Sequence, residues 1–316
     1  MPQRNFRDWV IASRPWSFAA SLLSVLPIAA WLFMQSRLLG WSFDWVNALL
    51  SLPMLICMQA AGNLIGDYYD HIRGVDLPGS LNGVRHIQSG KFQPAEVLHY
   101  GYAMLLAAGV IGVIILCRSS WSAIWLGVAG VLMVRFYPWL KYHALGDVDV
   151  LLGYALLPAL GVSFVATGQY HLEVLPLSLP TGLITVGILH ANNTRDILND
   201  RHAGIRTLSI QIGGMAAQWL YAFEVLVPYL LIAFYIAFGL LRPLSLITLL
   251  SLPVAIRLSR AMLSVKTVAA FDYTQAGDNV LPPALQPIAM LDIKTSQLQM
   301  LFGNLYTLSF LILALL

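Results

Sequence analysis

The sequence predicts an all-α, polytopic membrane protein: nine transmembrane helices in one bundle with a polar cytoplasm-side cavity. Two observations carry this. Of its 316 residues 58% are hydrophobic and only 10% are charged, where a soluble domain carries about 25% charged residues. The apolar residues also come in long runs without apolar/polar alternation, which favours helices over membrane strands.

A spanning helix needs about 20 mostly apolar residues, and nine segments qualify. The first, Pro15–Met34, follows the basic N-terminus MPQRNFRDWVIASRPW, which shows no short cleavable run. The second, Trp45–Gly66, closes in NLIGDYYD. Glu96–Leu116 and Trp121–Leu140 follow, and Val148–Thr167 begins in LGDVDV. The sixth, Leu179–Asn199, closes in NNTRDILND. Ala216–Leu240 carries an intramembrane acid, Glu224, and Leu244–Met262 and Gln297–Leu316 complete the set.

Nine spans put the termini on opposite sides. One set of loops and helix ends then collects fifteen of the eighteen Lys and Arg, leaving Arg37, Arg118 and Arg242 on the other side. By the positive-inside rule the basic side is cytoplasmic, and the cell inner (plasma) membrane is the expected location. The chain reads as a single domain over residues 1–316, with longer cytoplasmic loops at Asp67–Pro94 and Ser264–Ser296. Net charge is +3, which points to no nucleic acid. Cys57 and Cys117 sit in or beside apolar runs and read as small hydrophobes.

The chemistry is concentrated in two matching stretches. Asn63 and Asp67 are four residues apart, as are Asn192 and Asp196, and the pairs are offset by 129 residues. Asp70 extends the first motif and Asp200 the second. Residues three or four apart share a helix face, so Asn63–Asp67–Asp70 and Asn192–Asp196–Asp200 form two polar stripes at the basic ends of their helices. Leu64, Ile65, Ile197 and Leu198 fall on the other faces. Carboxylates near hydrocarbon cost roughly 2.5–3.5 kcal/mol each at the bilayer centre, and their mutual repulsion adds to that cost. A divalent cation between the stripes resolves it. An oxygen-only donor set suits Mg²⁺, which completes its shell with water and substrate phosphate. The two motifs therefore describe a receptor for a diphosphate, and a long lipid tail on it would lie among the helices.

Cations near the motifs agree with this reading: Arg73 and Arg85 after the first, Arg195, Arg201 and Arg206 in or after the second, and Lys141 in the loop after the fourth span. His190 lies off the polar stripe and reads as a packing residue, while Asp147 and Asp149 read as helix caps. Asp76 in GVD reads equally well as a turn. Phosphate-loop, zinc-helix and nucleophile-elbow motifs are absent from the sequence.

With NLIGDYYD and NNTRDILND each closing a helix in one half of a nine-span chain, the sequence resembles the UbiA superfamily of intramembrane aromatic prenyltransferases. Its tract RHIQSGKFQP and final LFGNLYTL are similar to the branch acting on 1,4-dihydroxy-2-naphthoate. Leu64 and Gly83 depart from the family pattern, where an acid and a proline are expected. The resemblance implies that Asp67, Asp70, Asp196, Asp200, Asn63 and Asn192 hold Mg²⁺ on a polyprenyl diphosphate, with cations such as Lys141 and Arg195 stabilising the leaving group. It implies prenyl transfer to a small aromatic acid, with decarboxylation to demethylmenaquinone for the naphthoate. Another acceptor, 4-hydroxybenzoate or homogentisate, is the alternative within the family, and a cation-coupled transporter is the alternative outside it.

Overall fold

A computed structural model describes residues 4–75, 86–265 and 283–316, which are helical almost throughout. A short amphipathic helix, α1 (Phe6–Ala12), opens the chain; Asn5 and Asp8 cap each other's backbone in a reciprocal box. Then follow α2 (Phe18–Leu39), α3 (Trp45–Ile72), α4 (Pro94–Arg118) and α5 (Ile124–Lys141). The fifth span is composite: α6 (Gly146–Leu151) widens into a π-turn at Leu152–Leu156 before α7 (Leu157–Thr167). Pro158 has no N–H for the carbonyl four residues back, and the wide turn accommodates that gap. After α8 (Val174–Arg195) come two short helices, α9 (Ile197–His202) and α10 (Leu208–Ile212), then α11 (Gly214–Ala237). A 3₁₀ run at Pro243–Ser251 leads into α12 (Leu252–Leu263), and α13 (Leu291–Leu315) ends the chain.

Among the described residues nine helical segments are long and apolar enough to cross a membrane, so the predicted span count is met. Several boundaries move: the first span runs on to Leu39 rather than Met34, and the second to Ile72 rather than Gly66, which puts the first motif inside the helix. The sixth span starts at Val174 rather than Leu179 and stops at Arg195, because Asp196 leaves the helical backbone at φ −95°, ψ 9°. The last span starts well before Gln297: Ala284 already belongs to it, and Asp292 lies in the first turn of α13 rather than in a loop. Polar residues in LDIKTSQ hid that start. Cys57 and Cys117 are both free.

In the packing, α13 lies against α2 and α8, α3 against α4, and α8 against α11. Some polar side chains inside the bundle are paired across helices: Gln299 donates to Thr185 Oγ1 at 2.6 Å, and Tyr221 shares a 2.6 Å bond with Thr295. Such pairs meet the needs of groups that hydrocarbon cannot solvate. Two crossings are closed by glycine. A Cβ on Gly182 would lie 2.5 Å from Ala155 Cβ, and one on Gly101 would lie 2.9 Å from Ile65 Cγ1. Gly182→Ala is therefore expected to lose about 1–3 kcal/mol by overpacking, seen as a lower Tm in detergent; an unchanged Tm would mean that α8 can move off the π-turn.

Leu64, Ile65, Ile197 and Leu198, the off-stripe residues of the two motifs, are all buried in protein. Leu64 packs with Ala12, Ile87, Phe92 and Val97. An acid at that position would be buried in that apolar cluster.

Candidate active site

The first motif is carried by the last turns of α3. Asp67 accepts from the guanidinium of Arg14 in a short ion pair. Arg14 sits between α1 and a 3₁₀ turn at Pro15–Ser17, in the left-handed region at φ 58°, ψ 60°. That conformation costs an arginine about 1–2 kcal/mol, and the following proline disfavours the ordinary helical alternative. Neighbouring bonds hold it. Asn63 Nδ2 donates to the Ser13 carbonyl at 3.0 Å and to Ser17 Oγ at 3.0 Å, and Ser17 Oγ donates to the Arg14 carbonyl at 2.8 Å. The N-terminal segment is thus stapled onto the first motif. Lys91 to Asp8 at 2.5 Å and Arg4 to Glu96 at 2.6 Å fasten its outer side.

Asp70, one turn on, accepts from Lys141 Nζ at 3.0 Å and from the Tyr142 hydroxyl at 2.6 Å. Burial and the Asp70 charge raise the Tyr142 hydroxyl above its ordinary range, so it stays a donor. The Arg73 guanidinium lies 4.6 Å over the Tyr142 ring. The corner after α5 also reaches the far side of the second motif, where the Arg206 N–H donates to the Tyr142 carbonyl at 3.2 Å.

The second motif survives the end of α8. Asp196 N–H donates to the Asn192 carbonyl at 3.0 Å, and Asp200 N–H to the Asp196 carbonyl at 2.9 Å. This i, i+4 ladder keeps the three residues on one stripe. Arg195 turns inward: Nε and Nη2 each reach an Asp196 oxygen at 2.9 Å, Nη2 reaches Asn192 Oδ1 at 2.6 Å, and Nη1 pairs with Asp292 of α13 at 3.1 Å.

Asp200, the last acid of the second stripe, is buried. Its carboxyl is pushed up to about 8, first by burial; Lys141 pulls it down, Asp196 and Asp70 push it up, and Arg195 pulls it down. The geometric link between the stripes is the Lys141–Tyr142 corner, which donates to Asp70 on one side and accepts from the Arg206 N–H on the other. Arg201 and Arg206 are exposed beside it. Arg85, Asp76 and Gly83 lie outside the described residues.

Beside the Asp70 corner, α3 and α5 form a cleft of about 630 Å³ lined by Tyr69, Arg73, Leu132, Phe136, Trp139 and Tyr142. One end carries cation and hydroxyl groups and the remainder is apolar.

Three residues that bond to the two motifs escaped sequence reading. Arg14 was signalled only by its basic neighbourhood, Tyr142 only by following Lys141, and Asp292 by nothing local. Two expectations are corrected. Asp147 does not cap α6, which has no side-chain cap; its Oδ1 instead meets His190 Nδ1 at 3.0 Å. Asp149 is likewise drawn inward and buried.

The UbiA prenyltransferase family model matches residues 24–269. The chain belongs to the UbiA family. It is 34% identical over 266 residues to UbiA prenyltransferase domain-containing protein 1 of Danio rerio, covering 82% of this chain and 76% of that protein. Its similarity to the Drosophila melanogaster homolog of that protein is 31% over 274 residues, covering 84% and 74%. The fold matches solved UbiA homologs. One from Aeropyrum pernix K1 superposes with a TM-score of 0.65 at 15% identity, covering 92% of this chain and 96% of that one. Another, from Archaeoglobus fulgidus bound to GPP and Mg²⁺, gives 0.57 at 14% identity, covering 96% and 99%.

Proposed function

We propose that this UbiA-family chain transfers a polyprenyl group from polyprenyl diphosphate to an aromatic acid in a Mg²⁺-dependent reaction. The favoured acceptor is 1,4-dihydroxy-2-naphthoate, which loses its carboxylate as CO₂ to give demethylmenaquinol, the hydroquinone form of demethylmenaquinone. The observation that carries the reading is the Lys141–Tyr142 corner, whose side chains donate to Asp70 of the first motif while the Tyr142 carbonyl accepts from the Arg206 N–H just past the second.

The donor set fits magnesium. It consists of carboxylates and amides, and it carries more charge than a membrane interior tolerates alone. Asp67, Asp70, Asp196 and Asp200, with Asn63 and Asn192, would hold Mg²⁺. When bound, it would neutralise the diphosphate and favour its departure. The Mg²⁺ and GPP bound to the Archaeoglobus homolog support the same assignment.

The chain's own groups then have distinct tasks. Lys141, Arg14 and Arg73 stand where they can exchange their present partners for phosphate oxygens as negative charge grows on the leaving group. Tyr142 offers a hydroxyl donor at the same place. Arg85 and Arg201 are proposed to serve the outer phosphate. The allylic C1–O bond breaks with its electron pair leaving on the diphosphate, and the electron-rich ring attacks C1. The cleft lined by Leu132, Phe136 and Trp139 suits the isoprenoid tail, and its apolar wall keeps water from the allylic cation. Helix-end acids beside basic loops do not suit a transporter, whose sites lie near the midplane. The basic side is proposed to face the cytoplasm of a plasma-membrane enzyme.

Purified protein with Mg²⁺ and a long-chain prenyl diphosphate, offered a panel of aromatic acids, should yield a prenylated product by mass spectrometry. CO₂ release with the naphthoate supports that acceptor. A prenylated hydroxybenzoate or homogentisate would reassign it, and no product from any acceptor would overturn the reaction class.

A further inference from the structure

Behind the second motif, on the inner side of α8, lies a cluster that the prenyl-transfer reading does not use. His190 is wholly buried (0% exposed), and Asp147 (6%) and Glu224 (3%) come to it from α6 and α11. His190 Nδ1 is 3.0 Å from Asp147 Oδ1 and 3.7 Å from Glu224 Oε1, and the three ligating atoms lie within 4.8 Å of one another.

We propose that Asp147, His190 and Glu224 form a binding site for a divalent transition metal, Zn²⁺ first, separate from the magnesium site and independent of the proposed reaction.

Four observations converge on it. The first is tautomer. His190 Nε2 lies 3.0 Å from the Ala217 carbonyl, and a carbonyl can only accept, so Nε2 carries the proton. Nδ1 then faces two carboxylates, so either a proton or a metal cation stands between them. A histidine that binds metal through one nitrogen and donates the other N–H to a backbone carbonyl is the usual outer arrangement of such sites.

The second is charge. Two carboxylates and an imidazolium leave one net negative charge inside a membrane bundle. Two carboxylates, a neutral imidazole and a divalent cation sum to zero.

The third is orphaned oxygen. Asp147 Oδ2 and Glu224 Oε2 are buried without a hydrogen-bond partner among the described residues. Such atoms normally find one, because leaving them unpaired is costly. The fourth is space. Gly187, one turn before His190, would put a Cβ 3.7 Å from Glu224 Oε2 and 3.2 Å from Val225 Cγ1, so glycine there keeps room beside the orphaned oxygen.

One nitrogen and two carboxylates match Zn²⁺, with Mn²⁺ as the next choice, at bond lengths of about 2.0–2.2 Å. The all-oxygen stripes of the first site favour magnesium instead. The ligands come from α6, α8 and α11, so a metal here would pin the helix that carries Asn192 two residues past His190.

The test uses the full chain in detergent, stripped with chelator and then loaded with Zn²⁺ in the presence of excess Mg²⁺. Elemental analysis after gel filtration should find about one Zn²⁺ per chain. X-ray absorption should show one imidazole nitrogen and carboxylate oxygens at the lengths above. Glu224→Gln and His190→Gln should weaken Zn²⁺ binding roughly tenfold or more, since losing a ligand costs at least as much as losing an outer partner. Asp67→Asn and Asp196→Asn should retain it. No retained Zn²⁺ or Mn²⁺ in the unmodified protein overturns the proposal, as does an all-oxygen shell, or loss in Asp67→Asn with retention in Glu224→Gln. Because the first two readouts need no variant, a misfolded variant does not rescue the idea.

Discussion

Asp67→Asn or Asp196→Asn is expected to reduce Mg²⁺-dependent prenyl transfer by on the order of 10²–10³-fold or more, while the protein still inserts into membranes. The lower bound is the loss of one preorganised electrostatic contact at a charge-forming step. Asparagine keeps the size and one oxygen of aspartate but removes the charge, so the change acts on cation and diphosphate rather than on packing. The two positions test different parts of the site. Asp67→Asn would release Arg14 from its ion pair, whereas Asp196→Asn would leave Arg195 still bonded to Asp292 and Asn192. Loss at both positions supports a shared site, and full activity in either variant would refute the assignment. The rate should be measured with prenyl diphosphate in excess, so that weaker binding is not mistaken for slower chemistry.

Arg195→Met should act on folding before it acts on catalysis. The guanidinium side chain is 2% exposed and faces Asp196 and Asp292, which are 11% and 21% exposed. Methionine fills much of the volume but leaves those acids without their common cation. Breaking a buried pair from one side costs about 3–5 kcal/mol. The expected result is a marked drop in Tm together with loss of activity. Arg195→Lys should fall between, because one ammonium cannot replace a planar fork that meets Asp196 with two nitrogens and Asp292 with the third. If Arg195 instead served chiefly as a phosphate ligand, Tm would stay near the wild-type value and KM for the prenyl diphosphate would rise. The two roles are separated by one melting curve and one titration.

Much of the site was legible in advance because its signal is local and periodic. Asn63, Asp67 and Asp70 read as one stripe from spacing alone, as did Asn192, Asp196 and Asp200, and the backbone ladder preserves the second stripe through the end of α8. Leu64 was an oddity in sequence and is ordinary in structure, since it points into a small apolar cluster beside α1. Asp147 and Asp149 show the opposite case. At the start of a helix they look like caps, yet α6 is uncapped by either, and His190, 43 residues on, takes Asp147. The packing of α6 against α8 places Asp147 at His190, and it prevails over a cap worth about 1 kcal/mol.

Which stretches cross the bilayer, and which carboxylates share a helix face, depends on properties of neighbouring residues: run length, hydropathy and a repeat of about 3.6. Those were settled by the sequence on its own. Which cation meets which acid was settled only in three dimensions. Arg14 meets Asp67 across 53 positions and Lys141 meets Asp70 across 71, while Arg195 meets Asp292 from another helix altogether. Ion pairs have no sequence period, because Coulomb attraction depends on distance through space and on burial, and only the packing of α3, α5, α8 and α13 sets both.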